Sequence, residues 1–351
     1  MAITDIRLQM FRSYKDTAFE LDPGVNIVVG PNASGKTNLL EAVLMIALGK
    51  SYRAGNEELI KFSQPWARLQ AHTQTSDRVV KVTNEPIVGK TFEIDGQTFK
   101  RLPASKKLPV VLFEPQHLLI LSGRPELRRD YLDDLLEQLE PGFGKIRRDY
   151  KRSLAQRNFL LKQDPGRTKS QLFAWNIRLS ELGGNIVDYR RQLIERLNQD
   201  LAGIYKQLSA SQALAKLDYV SVLPVKNYVS SLLHQLENNV EQDYRRGFTG
   251  FGPHRDDLAV SINDHPAQES ASRGEMRTLV LALKVLEIDC LEKANNQQPM
   301  ILLDDVFSEL DGARRRALTQ YLKDYQTFIT TTDADVVVHN FAQKCNVITL
   351  S

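Results

Sequence analysis

The stretch Val25-Asn-Ile-Val-Val-Gly-Pro-Asn-Ala-Ser-Gly-Lys-Thr37 decides how this chain folds. Val25–Val29 is a short, mostly apolar run and predicts a buried strand. Gly30 to Thr37 fits G-x-x-x-x-G-K-[ST], and Leu39 to Leu48 predicts an apolar helix ending near Gly49. Strand, glycine-rich loop and helix, in that order, are the context a phosphate-binding loop requires. Gly30, Pro31, Asn32, Ala33, Ser34 and Gly35 form the cradle, whose N–H groups turn toward a phosphate at a positive helix N-terminus. Lys36 reaches the β- and γ-phosphates, the Thr37 hydroxyl takes Mg²⁺, and Asn38 completes the first helical turn beside them.

Working outward, Met300-Ile-Leu-Leu-Asp-Asp305 reads as the second half of the same site. An apolar strand carries an acidic residue to its carboxyl end, beside the phosphates. Asp304 is expected on the Mg²⁺ side, and Asp305 as the group that polarises the attacking water. Ser272-Arg-Gly-Glu275 precedes a helix upstream of Asp304, Ser308-Glu-Leu-Asp311 follows it, and Thr331-Thr-Asp333 follows the next strand. In this order they resemble the signature, D-loop and switch of ABC-type ATPases. Ser272, Gly274 and Glu275 are then expected at a nucleotide held by a second copy, with Asp311 beside it. Taken alone, Ser272-Arg-Gly-Glu275 reads rather as an ordinary capped helix start, and its position between the helical insertion and Asp304 reverses that preference.

More specific likenesses lie in Phe11-Arg-Ser-Tyr14, Thr37-Asn-Leu-Leu-Glu-Ala42 and Gly49-Lys-Ser-Tyr-Arg53. Others are Arg124 to Asp133, Gly252-Pro-His-Arg-Asp-Asp257 and Leu303 to Asp311. With these the chain resembles the RecF family, recombination-repair proteins related to the heads of chromosome-maintenance ATPases. The resemblance implies an α/β, ABC-type P-loop ATPase head with a mixed sheet, an antiparallel β subdomain and an inserted helical arm. It also implies ATP and Mg²⁺ as cofactors, an ATP-dependent homodimer and slow, DNA-stimulated hydrolysis. DNA binding without sequence specificity and work with RecR, RecO and a RecA-type recombinase at gaps complete the picture. Arg12 is placed near the phosphates or ribose, with a surface salt bridge as the alternative. His254 and Arg255 belong at a dimer or nucleotide edge, or simply in a polar loop. Gln116 is a guess for the lid glutamine. Arg273, Glu275 and Thr332-Asp333 depart from the wider ABC pattern, which bears on turnover more than on binding.

The expected head spans 1–122 and 246–351, and the arm 123–245. The arm reads as helical. Leu172, Trp175, Leu179, Leu182, Ile186, Tyr189 and Leu193 recur in steps of three and four, a seam that needs a partner helix. Phe143 to Leu161 is the candidate partner, and Gly183-Gly184 predicts either a kink or a close approach. The arm is also basic. Residues 143–169 hold nine Lys or Arg against two Asp, in a chain whose net charge is only +3. Lys145, Arg147, Arg148, Lys151, Arg152 and Arg157 are the candidate DNA contacts, and a solvated helix face is the alternative. Five neutralised phosphates would give a slope of log affinity on log salt of about −4.5.

The remaining composition narrows the class by exclusion. At 351 residues, 42% hydrophobic and 25% charged, the chain is an ordinary globular protein of about two domains. Two cysteines rule out a disulfide scaffold and suit a reducing cytoplasm. No run approaches a membrane span, and no membrane partner is expected. The competing reading is a transporter nucleotide-binding subunit, which would need such a partner. Lys36 and Asp304 stand 268 positions apart, room for a short arm rather than a long coiled coil.

Overall fold

A computed structural model describes residues 2–209, 211–333 and 345–351. It divides into two compact units, 1–117 with 287–351 and 118–286. The first boundary falls close to the expected one. The second falls 41 positions later than expected, so the segment from 246 to 286 belongs to the second unit.

The first unit begins with β1 (Ile3–Phe11), β2 (Tyr14–Glu20), β3 (Val25–Val29) and α1 (Lys36–Leu48). There follow β4 (Trp66–Thr73), β5 (Asp77–Thr83), β6 (Gly89–Ile94), β7 (Gln97–Phe99) and β8 (Val110–Phe113). The second unit holds α2 (Pro125–Leu139), α3 (Phe143–Leu160), α4 (Pro165–Ser209), β9 (Ala215–Val220), α5 (Tyr228–Asn238) and α6 (Val240–Arg246). It continues with β10 (Asp257–Ile262), β11 (His265–Pro266), α7 (Ala267–Ser270) and most of α8 (Arg273–Asn295). The chain returns to the first unit with β12 (Met300–Asp304), α9 (Val306–Glu309), α10 (Gly312–Leu322), β13 (Thr327–Thr331) and β14 (Cys345–Thr349).

Among the described residues the first unit carries two sheets. One is antiparallel, in the order β2-β1-β4-β5-β6-β7, and the other parallel, in the order β14-β3-β13-β12-β8. Strands β3, β8 and β12 are near-continuous apolar runs because both faces are covered, whereas β14 at the sheet edge is partly exposed. From Ala42 to Leu48 helix α1 is apolar all round for the same reason. It packs on β4 and β5 of one sheet and on β8, β12 and β13 of the other. Leu39, Val43, Ile46 and Met300 join one core with Ile6, Leu8 and Leu69. The αL residue Gly49 closes α1 through its N–H to the Met45 carbonyl.

In the second unit the predicted seam is one 45-residue helix, α4, with α3 as its partner. Gly183-Gly184 does not break it. A Cβ at Gly183 would stand 3.0 Å from Leu232 Cδ2, and one at Gly184 would stand 2.4 Å from Val229 Cγ2. The glycines therefore mark the close approach of α5 rather than a kink.

Two of the six expected DNA contacts point inward. Arg157 is fully buried and donates to Asn176 Oδ1 (2.7 Å), Asp243 Oδ2 (2.7 Å) and Thr249 Oγ1 (2.8 Å). Arg147 is buried among Asp130, Asp133, Asp134 and Glu137, at 2.8 to 3.2 Å. A buried guanidinium already held by carboxylates is not available to phosphate, so both leave the list of contacts. Lys145, Arg148, Lys151 and Arg152 are exposed on α3.

Candidate functional site: a phosphate cradle at the carboxyl edge of the parallel sheet

The turn between β3 and α1 takes left-handed backbone at Ala33 (φ 67°) and Gly35 (φ 102°). That alternation points successive N–H groups into one concavity. Gly35 could not carry a side chain, because a Cβ there would stand 2.9 Å from Ser13 Oγ and 3.0 Å from Tyr14 Oη. At Gly30 a Cβ would stand 2.5 Å from Ser34 Oγ. Pro31, Asn32 and Ala33 are exposed at the rim. The Lys36 ammonium is buried and donates to the Gly30 and Pro31 carbonyls, both at 2.9 Å. Two neutral carbonyls are weaker partners than phosphate oxygens for a charged donor. Ser34 Oγ is buried and has no hydrogen-bond partner among the described residues. A loop with an orphan hydroxyl and an ammonium resting on its own backbone fits a phosphate ligand.

The acidic strand end lies beside it. Thr37 Oγ1 donates to Asp304 Oδ1 at 3.0 Å, so the two residues read as Mg²⁺-side partners are in direct contact. Thr330 Oγ1 donates to the same oxygen at 2.8 Å. Tyr52 Oη donates to Asp304 Oδ2 at 3.1 Å. A hydroxyl and a carboxylate are the hard oxygens Mg²⁺ takes, with phosphate and water completing its shell. Asp305 adopts φ 54° and its N–H donates to Thr330 Oγ1 at 2.9 Å, which turns its half-buried carboxyl away from the strand. Burial, reinforced by Asp304 and opposed by Lys36, raises its pKa. A carboxylate held more basic than usual suits a group that orients water. Thr332 and Asp333 are exposed at the end of β13, with Asp333 N–H donating to Thr331 Oγ1 at 3.1 Å.

A second network lies along the outer side of α1. Glu41 is fully buried and accepts from Arg12 Nε (2.8 Å) and Nη2 (2.9 Å), Arg53 Nη2 (3.1 Å) and Ser51 Oγ (2.5 Å). Its pKa falls, because these donors outweigh the desolvation that would raise it. Asn38 accepts from Arg53 Nη2 and donates to Ser13 Oγ at 2.9 Å. Arg12 thus makes a salt bridge, mostly buried rather than on the surface. It also lines a cavity of about 870 Å³ with Glu57, Ile60, Lys61, Phe62 and Asn84. Lys61 Nζ donates to the Ser13 carbonyl at 2.7 Å, which ties that cavity wall to the turn resting on α1. Glu41, Ser51, Tyr52 and Thr330 were missed as site residues by sequence reasoning. Gly49 to Arg53 stood out by resemblance only, and no spacing rule marks any of them.

Asp311 caps α10, accepting from Arg314 N–H at 2.9 Å and pairing with the Arg314 guanidinium. That N–H, helped by the guanidinium, lowers its carboxyl pKa. In the second unit, Ser272 and Glu275 form a capping box. Ser272 N–H and Oγ donate to Glu275 Oε2 at 2.8 and 2.7 Å, and Glu275 N–H donates to Ser272 Oγ at 3.2 Å. Gly274, between them, opens the first turn, and its carbonyl accepts from Thr278 Oγ1 at 3.0 Å. The helix tip is exposed. Arg128 and His254 bond to partners within the second unit. Arg128 forks onto Asp257 at 2.7 and 2.8 Å, and Arg190 forks onto Asp133 at 2.8 and 3.0 Å. Tyr219 and Tyr228 donate to Asp256, and Tyr150 meets His254 Nδ1 at 2.7 Å. Gln116 lies exposed in the turn after β8.

This arrangement matches known proteins over its whole length. The family described as RecF/RecN/SMC N terminal domain matches residues 2–350. The DNA replication and repair protein RecF of Acidothermus cellulolyticus is 33% identical, over 95% of this chain and 94% of that protein. RecF of Staphylococcus epidermidis is 32% identical, over 100% and 98%. Among solved structures, the recombination mediator protein RecF–ATPrS superposes with a TM-score of 0.88 at 27% identity, covering 100% of this chain and 97% of that one. An Smc head bound to the C-winged helix domain of ScpA shares the fold at a TM-score of 0.52 and 16% identity, over 96% and 92%. On this whole-length likeness the chain belongs to the RecF family.

Proposed function

We propose that this protein is an ATP-switched, DNA-binding protein of recombinational repair and replication. One observation carries the nucleotide part. The Lys36 ammonium rests on loop carbonyls beside the orphan Ser34 hydroxyl, with the Thr37–Asp304 pair next to it. Relatives named for DNA replication and repair, and RecF structures with ATP, support the same reading. The transporter reading has no such support, and among the described residues no helix is long and apolar enough to cross a membrane.

In this mechanism the loop N–H groups and Lys36 hold the triphosphate. Thr37 and Asp304 hold Mg²⁺, which when bound neutralises charge developing between the β- and γ-phosphates. Asp305 orients the attacking water. The cavity beside Arg12 and Phe62 takes ribose and base. The exposed signature tip at Ser272 meets the triphosphate of a second copy, with Asp311 beside that junction. Ser272 Oγ must then exchange Glu275 for a phosphate oxygen, so pairing depends on a full triphosphate. Hydrolysis is slow and resets the switch. The paired molecules bind duplex or junction DNA through α3 and assist a RecA-type recombinase at gaps, together with RecO- and RecR-type mediators, in the cytoplasm. Four exposed cations rather than five set a salt slope of about −3.6 per arm.

Sedimentation with ATP and Mg²⁺ tests this reading. The wild-type chain should become a dimer with ATP and stay a monomer with ADP. Asp305→Asn should dimerise persistently. Ser272→Arg should bind ATP normally and remain monomeric, and a Ser272→Arg dimer would overturn the cross-subunit role.

A further inference from the structure

The outer face of α3 is not simply basic. Arg148, Arg152, Ala155 and Phe159, with Lys162 just beyond the helix, follow one another in steps of four and three and are all exposed. Phe159 is 60% exposed among these cations. The same face is continued by a second segment. Thr249 donates through its N–H and Oγ1 to Asn158 Oδ1 at 2.8 and 2.7 Å, which lays 247–249 against the end of α3. Lys162 packs beside Gly247, whose added Cβ would lie 3.6 Å from Lys162 Cγ. Phe248 is 39% exposed, and the Arg255 guanidinium lies over its ring at 4.9 Å. Arg245 and Arg246 are exposed next to it. Asp149 lies on α3 between Arg148 and Arg152, and three other acids nearby are engaged with cations. Asp243 is buried on Arg157, Glu241 pairs with Lys169, and Asp164 faces Arg167.

Contact with a duplex backbone needs cations and nothing more. Two large aromatic rings left in water among cations, one with a guanidinium stacked on it, are what unstacked bases require. We propose that Phe159, Phe248 and Arg255 form a base-stacking subsite, and that this end of the arm takes the single-stranded flank of a nucleic acid whose backbone runs along Arg148, Arg152 and Lys162. The inference rests on the DNA-binding reading above and deepens it, since it assigns the unpaired strand to a definite place. Because every base has a π-face, the subsite is indifferent to sequence.

Fluorescence anisotropy of the full chain at one fixed salt concentration tests it with three labelled probes. These are oligothymidylate, an abasic phosphodiester of the same length and a duplex of that length. The wild-type chain should bind oligothymidylate about tenfold more tightly than the abasic strand. Phe248→Ala and Phe159→Ala should each remove most of that difference while leaving abasic and duplex affinities within about twofold. Both side chains are exposed, and unchanged thermal melting of the variants confirms that the fold is intact. Equal wild-type affinity for the first two probes overturns the proposal, as does a Phe248→Ala variant that weakens all three alike. The Arg148→Ala/Arg152→Ala double variant should weaken all three. If it weakens none, the arm is not the DNA surface and the subsite falls with that reading, whereas equal wild-type affinity for thymidylate and abasic strand, with the double variant weakened on all three probes, overturns the stacking subsite alone.

Discussion

Asp304 shows how little of a site one residue makes alone. Its two oxygens are held by three hydroxyls, Thr37 and Thr330 on Oδ1 and Tyr52 on Oδ2. Burial, with Asp304 adding to it, pushes the Tyr52 phenol well above its ordinary value, so it remains a donor at any working pH. Tyr52→Phe keeps the packing and deletes one hydrogen bond, worth about 1 kcal/mol. The variant should need about fivefold more Mg²⁺ to reach half-maximal nucleotide binding, with affinity in EDTA unchanged. Titration with a fluorescent ATP analogue measures both, and an equal loss with and without Mg²⁺ would reduce Tyr52 to a structural residue. The neighbouring Ser51 and Arg53 reach Glu41 instead, so three consecutive residues fasten the acidic strand end and the outer side of α1.

At the scale of elements, α3 carries two faces with opposite tasks. Inward, Arg147, Tyr150 and Arg157 are buried, while outward Arg148, Lys151 and Arg152 are exposed. Arg157→Met leaves Asp243 buried and without its charge partner, which costs about 3–5 kcal/mol. Urea unfolding should register that loss. Arg152→Ala should leave stability within about 0.5 kcal/mol and weaken duplex binding instead. A reversal of these two outcomes would mean that the faces of α3 have been misassigned.

Across the whole second unit, helices and the three-stranded sheet β11-β10-β9 are joined by a buried polar network. Asp133, Arg190, Tyr219, Tyr228, Asp256, Tyr150 and His254 all belong to it. His254 Nε2 donates to the Thr249 carbonyl at 3.2 Å, which leaves Nδ1 to accept from Tyr150. Burial pushes its pKa down to about 4. The unfolded histidine titrates near the ordinary 6.5. Between these values only the unfolded chain binds the proton, so stability is full above about 6.5 and falls as pH drops toward 4. The loss is on the order of 3 kcal/mol. Burial raises the Asp256 pKa and acts in the opposite direction, so the comparison belongs between variants. Urea midpoints of His254→Gln should fall less from pH 7 to pH 4.5 than those of the wild-type chain. Parallel declines would remove His254 as a source of acid sensitivity.

The amino-acid order alone determined the strand–loop–helix at Gly30, the acidic strand at Asp304, the helix seam from Leu172 to Leu193 and its partner at Phe143. Each is a local pattern, in which spacing along the chain dictates geometry through the helix and strand periods. Tertiary structure alone decided which cations on α3 face water, because Arg147 meets acids of the neighbouring helix α2 and Arg157 meets Asp243, 86 positions away. It also brought Tyr52 onto Asp304 and Arg12 and Arg53 onto Glu41, and grouped 246–286 with the second unit. A sequence displays charge and period, but it does not display which partner folding brings to a buried charge. That choice depends on desolvation among residues more than a hundred positions apart, as Arg128 and Asp257 illustrate at 129.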